Sequence, residues 1–346
     1  MKCFKHFLSE LNIQNLGSPK PKVLLAMMTG MWDISSKDLA PLRKIADVTV
    51  FETKSMTEEQ LAKKCQGYDY LMLNMDFLPF PDPNKMDKLT EKFYEHPATH
   101  GLKGINVDMT DADFFSPKIA KEHGILIQDS PNTTTESVAE AAITEILLHA
   151  RNRHLGYQDQ KQGKPAGCRK SLNLKGKKAG VIGHGNIGSR VAELLTAFGM
   201  DVMIYEIKED TGAEITPIEE IFKTAEVISI HIPAHLPEYQ QTDEHATNIG
   251  FIDSKLLNLC KGTILVNLAT DIIVDVDSLS KAIKEKKIIG YSVEPGRKMT
   301  EKLKQFDVVH ISPCSFDSDE SRANIKKVWI DNMIATIQGK PTNVWN

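Results

Sequence analysis

The sequence predicts an α/β protein built on doubly wound parallel sheets. Three observations predict it. The first third alternates short apolar runs with helical patterns, and a second strand–helix series runs from Lys177 to about Ile311. Between a strand and a helix of that second series lies the turn Gly183-His184-Gly185-Asn186-Ile187-Gly188. Strands that alternate with helices need crossover connections, and crossovers place neighbouring strands parallel.

The elements follow in order. KVLLAMM (22–28) is apolar throughout, as a strand buried on both faces should be. SSKDLAPLRKIA (35–46) reads as a helix with a serine cap, and DVTVFE (47–52) as a strand. TEEQLAKKCQ (57–66) opens on Thr57 with acids in its first turn, the charge placement that suits a helix N-terminus. YDYLMLNM (68–75) is a third strand, and FLPFPDPN then breaks the pattern with three prolines. The pattern resumes at ATHGLKGINV and GILIQDS. TESVAEAAITEILLHARN (135–152) reads as a long helix that is apolar on most faces, which predicts burial between domains or between subunits. Residues 156–176 are polar and Gly-rich and read as a surface connection. The last helix (321–339) is amphipathic and ends at Gly339.

Composition narrows the function classes. With 346 residues, 41% hydrophobic and 25% charged, the chain has the make-up of a globular protein of two domains. A net charge of -4 gives no overall attraction to nucleic acid or to an anionic membrane. Cys3, Cys65, Cys168, Cys260 and Cys314 are scattered and form no CxxC pair. That argues against a disulfide framework or a structural metal site and points to a reducing cytoplasm. The start of the chain lacks the apolar run of a signal peptide, and no stretch reaches the roughly 18 apolar residues of a membrane helix.

The glycine turn carries the functional signal. A bare GxGxxG is weak, but this one joins a strand (178–182) to an apolar helix (190–198), and Glu206 closes the next strand. Gly183 permits the tight turn, Gly185 lets backbone approach a pyrophosphate, and Gly188 lets helix and strand pack closely. The helix N-terminus offers free N–H groups to phosphate. Glu206 accepts from ribose hydroxyls and repels a 2′-phosphate, which favours NAD over NADP; Lys208 works against that preference.

Several motifs in order resemble the D-2-hydroxyacid dehydrogenase family over nearly the full length. These are LKGINVDMTD, SPNTTTESVAE, LKGKKAGVIGHGNIG, AFGMDVMIYE, ISIHIPAHLPE and LLNLCKGTILVNLAT. The resemblance implies a flavodoxin-like substrate domain, residues 1–130 with 320–346, and an NAD-binding Rossmann domain, residues 131–319, with a cleft between them and a homodimer formed through the cofactor domain. It implies cofactor contacts from Thr135, Gly183, Gly185, Asn186, Ile187, Gly188, Glu206, His231, Pro233, Leu268, Ala269 and Glu294. His231 itself reads as structural, and Pro233 between His231 and His235 argues against a metal.

The substrate half departs from that family. Its carboxylate-gripping arginine falls at Thr270 and the following glycine at Asp271. Its Pro-His pair falls at Pro313-Cys314, and its orienting glutamate near Met299, with Glu301 in reach only if the loop shifts. A positioned acid/base contributes typically 10²–10⁴-fold, and threonine offers no bidentate grip on a carboxylate. The candidates to take over are Lys103, set against a surface lysine, and Cys314, set against a small buried hydrophobe. Arg297 in the rewritten loop is set against a solvated arginine. Gly104 and Asn106 belong to the implied substrate loop, where Asn106 replaces a family glycine. The expectation is an NAD-dependent oxidoreductase acting on a small anionic substrate. The alternatives are a catalytically silent NAD(H)-binding sensor or scaffold, and a non-redox enzyme using Cys314 and Asp271.

Overall fold

Eleven strands form two separate parallel sheets in the computed structural model, which describes residues 19–74, 76–79, 88–110, 113–164, 171–208, 212–233, 248–294 and 302–345. The chain divides into two compact units, one comprising the residues up to Thr134 together with Ser318 onward, the other Thr135–Asp317.

The first unit holds β1 (Lys22–Met28), β2 (Asp47–Thr53), β3 (Tyr70–Leu73), β4 (Gly104–Val107) and β5 (Leu126–Gln128), in the order β2-β1-β3-β4-β5. Strand order reverses between β1 and β3, so the chain leaves those two strands toward opposite faces and opens a crevice at their carboxyl ends. β1, β3 and β4 are almost wholly buried, which explains their unbroken apolar runs. Glu58–Lys64 is a helix with a reciprocal capping box between Thr57 and Gln60. The segment expected as a helix over 35–46 is helical only at Ala40–Arg43. Pro41 lies in that first turn, the position proline tolerates, while Ser35 and Asp38 hydrogen-bond each other in the turn before it.

Helix Asp319–Ile337 completes this unit. Trp329 is fully buried; its Nε1 donates to Asn106 O (2.8 Å), and Asn106 Nδ2 donates to Trp329 O (2.7 Å). Asn332 Nδ2 donates to Asp129 O and Thr336 Oγ1 to Gln128 Oε1.

The second unit holds β6 (Lys178–Ile182), β7 (Asp201–Tyr205), β8 (Val227–Ile230), β9 (Thr263–Asn267), β10 (Ile288–Val293) and β11 (Val309–Ile311), in the order β11-β10-β9-β8-β6-β7. A parallel bridge from Ile215 to Ile204 extends the β7 edge. Here the order reverses between β6 and β8. Helix Thr135–Ala150 covers one face; Val138, Ala142, Ile146 and Ala150 pack with Val181, Val191, Leu195 and Val266. A helix at Arg153–Lys161 runs into the region expected as connection. None of its residues is buried, so it carries no apolar stripe for a sequence pattern to reveal.

Candidate functional site

In an open parallel sheet, ligands bind outside the carboxyl ends of the strands at the point where strand order reverses. In the second unit that point is the end of β6, which runs into the glycine turn. Gly183 has φ +95°, and a Cβ there would stand 2.5 Å from His231 O. A Cβ on Gly188 would meet the carbonyl of Gly183 well inside any real contact. A Cβ on Gly185 would meet nothing within 4 Å. Gly183 and Gly188 therefore answer to the protein's own packing, whereas Gly185 keeps open the space a ligand backbone needs. Gly185 is the N-cap of helix Asn186–Ala197, and no side chain caps it. The first-turn N–H groups at Asn186 and Ile187 thus remain for an anion. These features fit a dinucleotide.

Glu206 lies just past the end of β7, and three backbone amides fix its carboxylate. Oε2 accepts from His184 N (2.8 Å); Oε1 accepts from Ile207 N (2.8 Å) and Lys208 N (3.2 Å). The acid is pre-positioned beside the glycine turn, and its remaining lone pairs suit a ribose diol.

The other candidates sit at the remaining strand ends of this sheet. His231 follows β8, and its Nε2 lies 2.8 Å from Ser229 Oγ. Burial pushes its imidazole down to about 4, so it is neutral near pH 7. Its side chain is committed to Ser229 and its carbonyl backs Gly183, so the residue supports the turn. Pro233 is exposed, and its carbonyl accepts from Asn248. Leu268 is buried, Ala269 is exposed, and Thr270 is half-buried past β9. Asn267 braces that turn, donating to Thr270 O (2.8 Å) and accepting from Ala269 N (3.2 Å). Asp271, next in the chain, is buried. Glu294 lies just past β10 and accepts from the Ser315 hydroxyl; burial pushes its carboxyl up. Cys314 is exposed and sits at φ +56°, just past β11. Its expected reading as a buried hydrophobe does not hold. Thr135 opens helix Thr135–Ala150 and is half-buried. Arg297, Met299, Glu301 and His235 lie outside the described residues.

The substrate candidates of the first unit require correction. Lys103 precedes β4 at the amino end of the sheet and pairs with Asp69 (3.0 Å). Gly104 is the first residue of β4, packed against Leu126 and Tyr70. Asn106 lies inside the strand; its Nδ2 and backbone carbonyl engage Trp329, while its buried Oδ1 has no hydrogen-bond partner among the described residues. Lys103 and Gly104 thus stand at the amino end of β4, because the strand begins where the sequence reading placed the loop, while Asn106 lies one residue before its carboxyl end. The Lys103–Asp69 pair is half exposed and worth at most about 1 kcal/mol. Lys103→Ala is expected to leave turnover at the wild-type level; a loss beyond about tenfold in steady-state rates, some 1.4 kcal/mol, would return the lysine to the site.

The carboxyl edge of this sheet carries residues the sequence reading passed over. Trp32 lies in the loop after β1, Asn74 and Asp76 after β3, and Asp108 after β4. Asp108 Oδ2 accepts from Trp32 Nε1 (2.7 Å) and from Asn74 Nδ2 (2.7 Å); Asn74 Nδ2 also reaches Asp76 (2.8 Å). Burial, reinforced by Asp76, pushes Asp108 up to about 7. The available signal was LNMD and VDMT, each a polar residue directly after an apolar strand.

A second polar set lies inside the cofactor unit. Ser292 Oγ on β10 donates to Glu145 Oε2 (2.6 Å) on helix Thr135–Ala150 and so accepts from His149 Nε2 (2.8 Å). His310 Nδ1 on β11 reaches the same Glu145 oxygen (2.7 Å). Burial pushes Glu145 up, but hydrogen bonds from His310 and Ser292 outweigh it and its carboxyl titrates low. The Glu145 bond holds His310 high, while burial and then His154 press His149 down to about 4. Gly290 makes room for the His149 ring, since a Cβ there would lie 2.7 Å from it. Glu145 and His149 sit four residues apart in an otherwise apolar helix, a signal legible in the sequence but masked there by its high apolar content.

Comparison with known proteins agrees with this architecture. Residues 143–314 match the family model described as D-isomer specific 2-hydroxyacid dehydrogenase, NAD binding domain. The D-3-phosphoglycerate dehydrogenase of Haemophilus influenzae is 31% identical over 207 residues, 56% of this chain but 48% of that protein. The chain thus matches about half the length of that relative. The glyoxylate reductase of Aeropyrum pernix is 30% identical over 254 residues, 68% of this chain and 73% of that one. An acyclic imino acid reductase solved with NADPH and D-Arg superposes with a TM-score of 0.77 at 21% identity, over 93% of this chain and 99% of the other, a likeness of fold.

Proposed function

From the premise that this chain belongs to the D-isomer-specific 2-hydroxyacid dehydrogenase family and carries its NAD-binding domain, we propose an NAD-dependent oxidoreductase with a rewritten substrate site. The observation that carries the reading is the glycine turn. Gly183 and Gly188 are sterically required there, Gly185 leaves open space, and Glu206 is already aligned beside it. Bound NAD(H) would supply hydride transfer, and the chain would hold and orient it.

Asn186 and Ile187 N–H would hold the pyrophosphate and Glu206 the adenosine ribose. Leu268, Ala269, Thr270, Glu294, Pro233 and Thr135 would line the remainder of the cofactor, with His231 backing the turn. A carbonyl that receives hydride also needs a proton on its oxygen. Cys314 stands at the family's histidine position, exposed, and is the candidate to hold that proton. Thr270 offers a hydroxyl where the family has a guanidinium, so it can orient an oxygen but supplies no charge.

The substrate is a small molecule. The expectation of an anionic one drew on Lys103, which stands at the opposite sheet edge and no longer supports it, and on Arg297, which lies outside the described residues. We further propose a homodimer in the cytoplasm. Among the described residues no helix is long and apolar enough to cross a membrane.

The test follows NADH absorbance across hydroxy acids, keto acids, aldehydes, amino acids and oxyanions, beside calorimetric titration of NADH. Turnover of any class supports the reading. Bound NADH with a flat response throughout favours the second reading, a catalytically silent NAD(H)-binding protein. That reading draws on Thr270 and Cys314 standing where the family has its arginine and histidine. Cys314→Ser is expected to lower turnover by about 10²-fold or more if the thiol holds the proton; unchanged turnover removes it from that role.

A further inference from the structure

β5 is the last strand of the first unit's sheet, and the chain itself covers its outer edge. Gln128 pairs antiparallel with Val344. Asp129 N donating to Asn343 O (3.2 Å) and Trp345 N donating to Ile127 O (2.9 Å) flank that pair. Residues 341–345 thus lie along β5 as a short added strand. They owe nothing to the helix before them. Helix Asp319–Ile337 is closed by its own cap: Gly339 has φ +75°, its N donates to Thr336 O (3.0 Å), and Lys340 N donates to Ala335 O (2.9 Å).

Two side-chain amides beneath the segment read it. Gln128 is 1% exposed and Asn332 2%, so neither amide is a loose surface group. Gln128 Nε2 donates to Thr342 O (2.5 Å), while Thr336 Oγ1 holds its other end (2.6 Å). Asn332 Oδ1 accepts from Thr342 Oγ1 (2.9 Å) and from Asn343 Nδ2 (2.8 Å), while its Nδ2 is fixed on Asp129 O (2.7 Å). Each amide is therefore oriented by the fold at one end and presents the other to the segment. Asn343 has φ +52°, a left-handed conformation that asparagine tolerates. Trp345 packs against the unit's hydrophobic core, whereas Thr342, Asn343 and Val344 are exposed. Backbone bonds to a sheet edge supply affinity, and contacts to particular side chains supply specificity. What fits this seat is an extended chain with a hydroxyl, then a carboxamide, then an aromatic ring two residues later. An exposed segment on a sheet edge also opens at lower cost than the strands it covers.

We propose that the β5 edge, with Gln128 and Asn332, is a peptide-docking site that the chain fills with its own residues 341–345 and that accepts the same segment from a second copy. In cis the segment is present at an effective concentration on the order of millimolar, so exchange between intact copies shows only at high protein concentration. The inference stands apart from the oxidoreductase reading, and its readouts involve no NADH.

The experiment uses a chain ending at Lys340, with a synthetic peptide of residues 340–345 as the probe. Calorimetry is expected to show the peptide binding that chain, and binding the intact chain far more weakly because its seat is filled. In the peptide, Trp345→Ala, or Thr342→Val with Asn343→Ala, should each weaken binding by about tenfold or more. Val344→Ala should leave it unchanged. Mixed with the intact chain, the chain ending at Lys340 should form an association that excess peptide abolishes. If the chain ending at Lys340 does not fold, amide hydrogen exchange on the intact chain decides. The Asp129 and Trp345 amides should then exchange together while the Leu126 amide, bonded to Lys103 O, stays protected. A folded chain ending at Lys340 that ignores the peptide would overturn the proposal. So would variant peptides that bind alike, equal binding by the intact chain, or an association that is absent or insensitive to peptide. Exchange of Asp129 and Trp345 only in step with Leu126 would overturn it as well.

Discussion

Gly188→Ala is expected to weaken NADH binding by about 100-fold or more, equivalent to about 2.7 kcal/mol, and to lower the unfolding temperature as well. The new methyl group would collide with the carbonyl carbon and oxygen of Gly183, which are backbone atoms and cannot swing aside. Helix Asn186–Ala197 must then move off β6 and carry its first-turn N–H groups away from the phosphate position. Overpacking of this kind costs typically about 1–3 kcal/mol in stability before any ligand is added. Gly185→Ala gives the informative contrast. Its Cβ meets nothing within 4 Å, so the fold should be indifferent to it. Any loss of NADH affinity in Gly185→Ala must then come from obstruction of the ligand. Calorimetry for NADH together with thermal unfolding of both variants reads the difference. Wild-type affinity in Gly188→Ala would show that the turn does not hold the dinucleotide.

Glu145→Ala is expected to destabilise the protein by about 2–4 kcal/mol near pH 6. It leaves Ser292 and His310 without their shared acceptor in a site where Glu145 itself is 7% exposed. The pH dependence has a definite sign. Glu145 titrates below its ordinary 4.5, so its contribution is present above that value and is lost as pH falls through its depressed one. His310 titrates above its ordinary 6.5, so its contribution is complete below 6.5 and is lost as pH rises through the raised value. The pair therefore contributes most between 4.5 and 6.5, and the gap between wild type and Glu145→Ala should narrow on the alkaline side. His149 opposes this at the acid end, because burial and His154 outweigh the Glu145 charge that raises it. Buried and held neutral down to about 4, it refuses a proton that the unfolded chain accepts below 6.5. The wild type should thus lose stability as pH falls from 6.5 toward 4, by about 3 kcal/mol from this group, and Glu145→Ala, without the carboxylate that raises His149, by no less. Denaturant titrations at pH 5, 6 and 8.5 test both points. A gap that widens toward alkaline pH would contradict the pairing of Glu145 with His310.

Most of the fold was written in local chemistry. Apolar runs such as KVLLAMM and GTILVN can be satisfied only as strands buried on both faces, and the Thr57 capping box announces its helix without reference to anything distant. The glycine turn was equally plain, because strand, turn, helix and acid are all near neighbours in the chain. The proposal that Thr270 and Cys314 occupy vacated positions rests likewise on comparison with the family pattern.

The substrate half was another matter. Whether Lys103 or Asp108 stands at the ligand edge turns on where β4 starts and ends, and a buried strand with no alternation gives no internal mark of its limits. Asn106 looked like a pocket residue until Trp329, 223 positions away, claimed both its amide and its carbonyl. Glu145, Ser292 and His310 are separated by up to 165 residues, and nothing short of the assembled sheet and its covering helix brings them to one oxygen. Short-range chemistry repeats in every copy of a pattern and can be read from the chain. A charge, a carboxyl set or a hydrogen bond made across the fold depends on which strands become neighbours, and chain spacing does not record that.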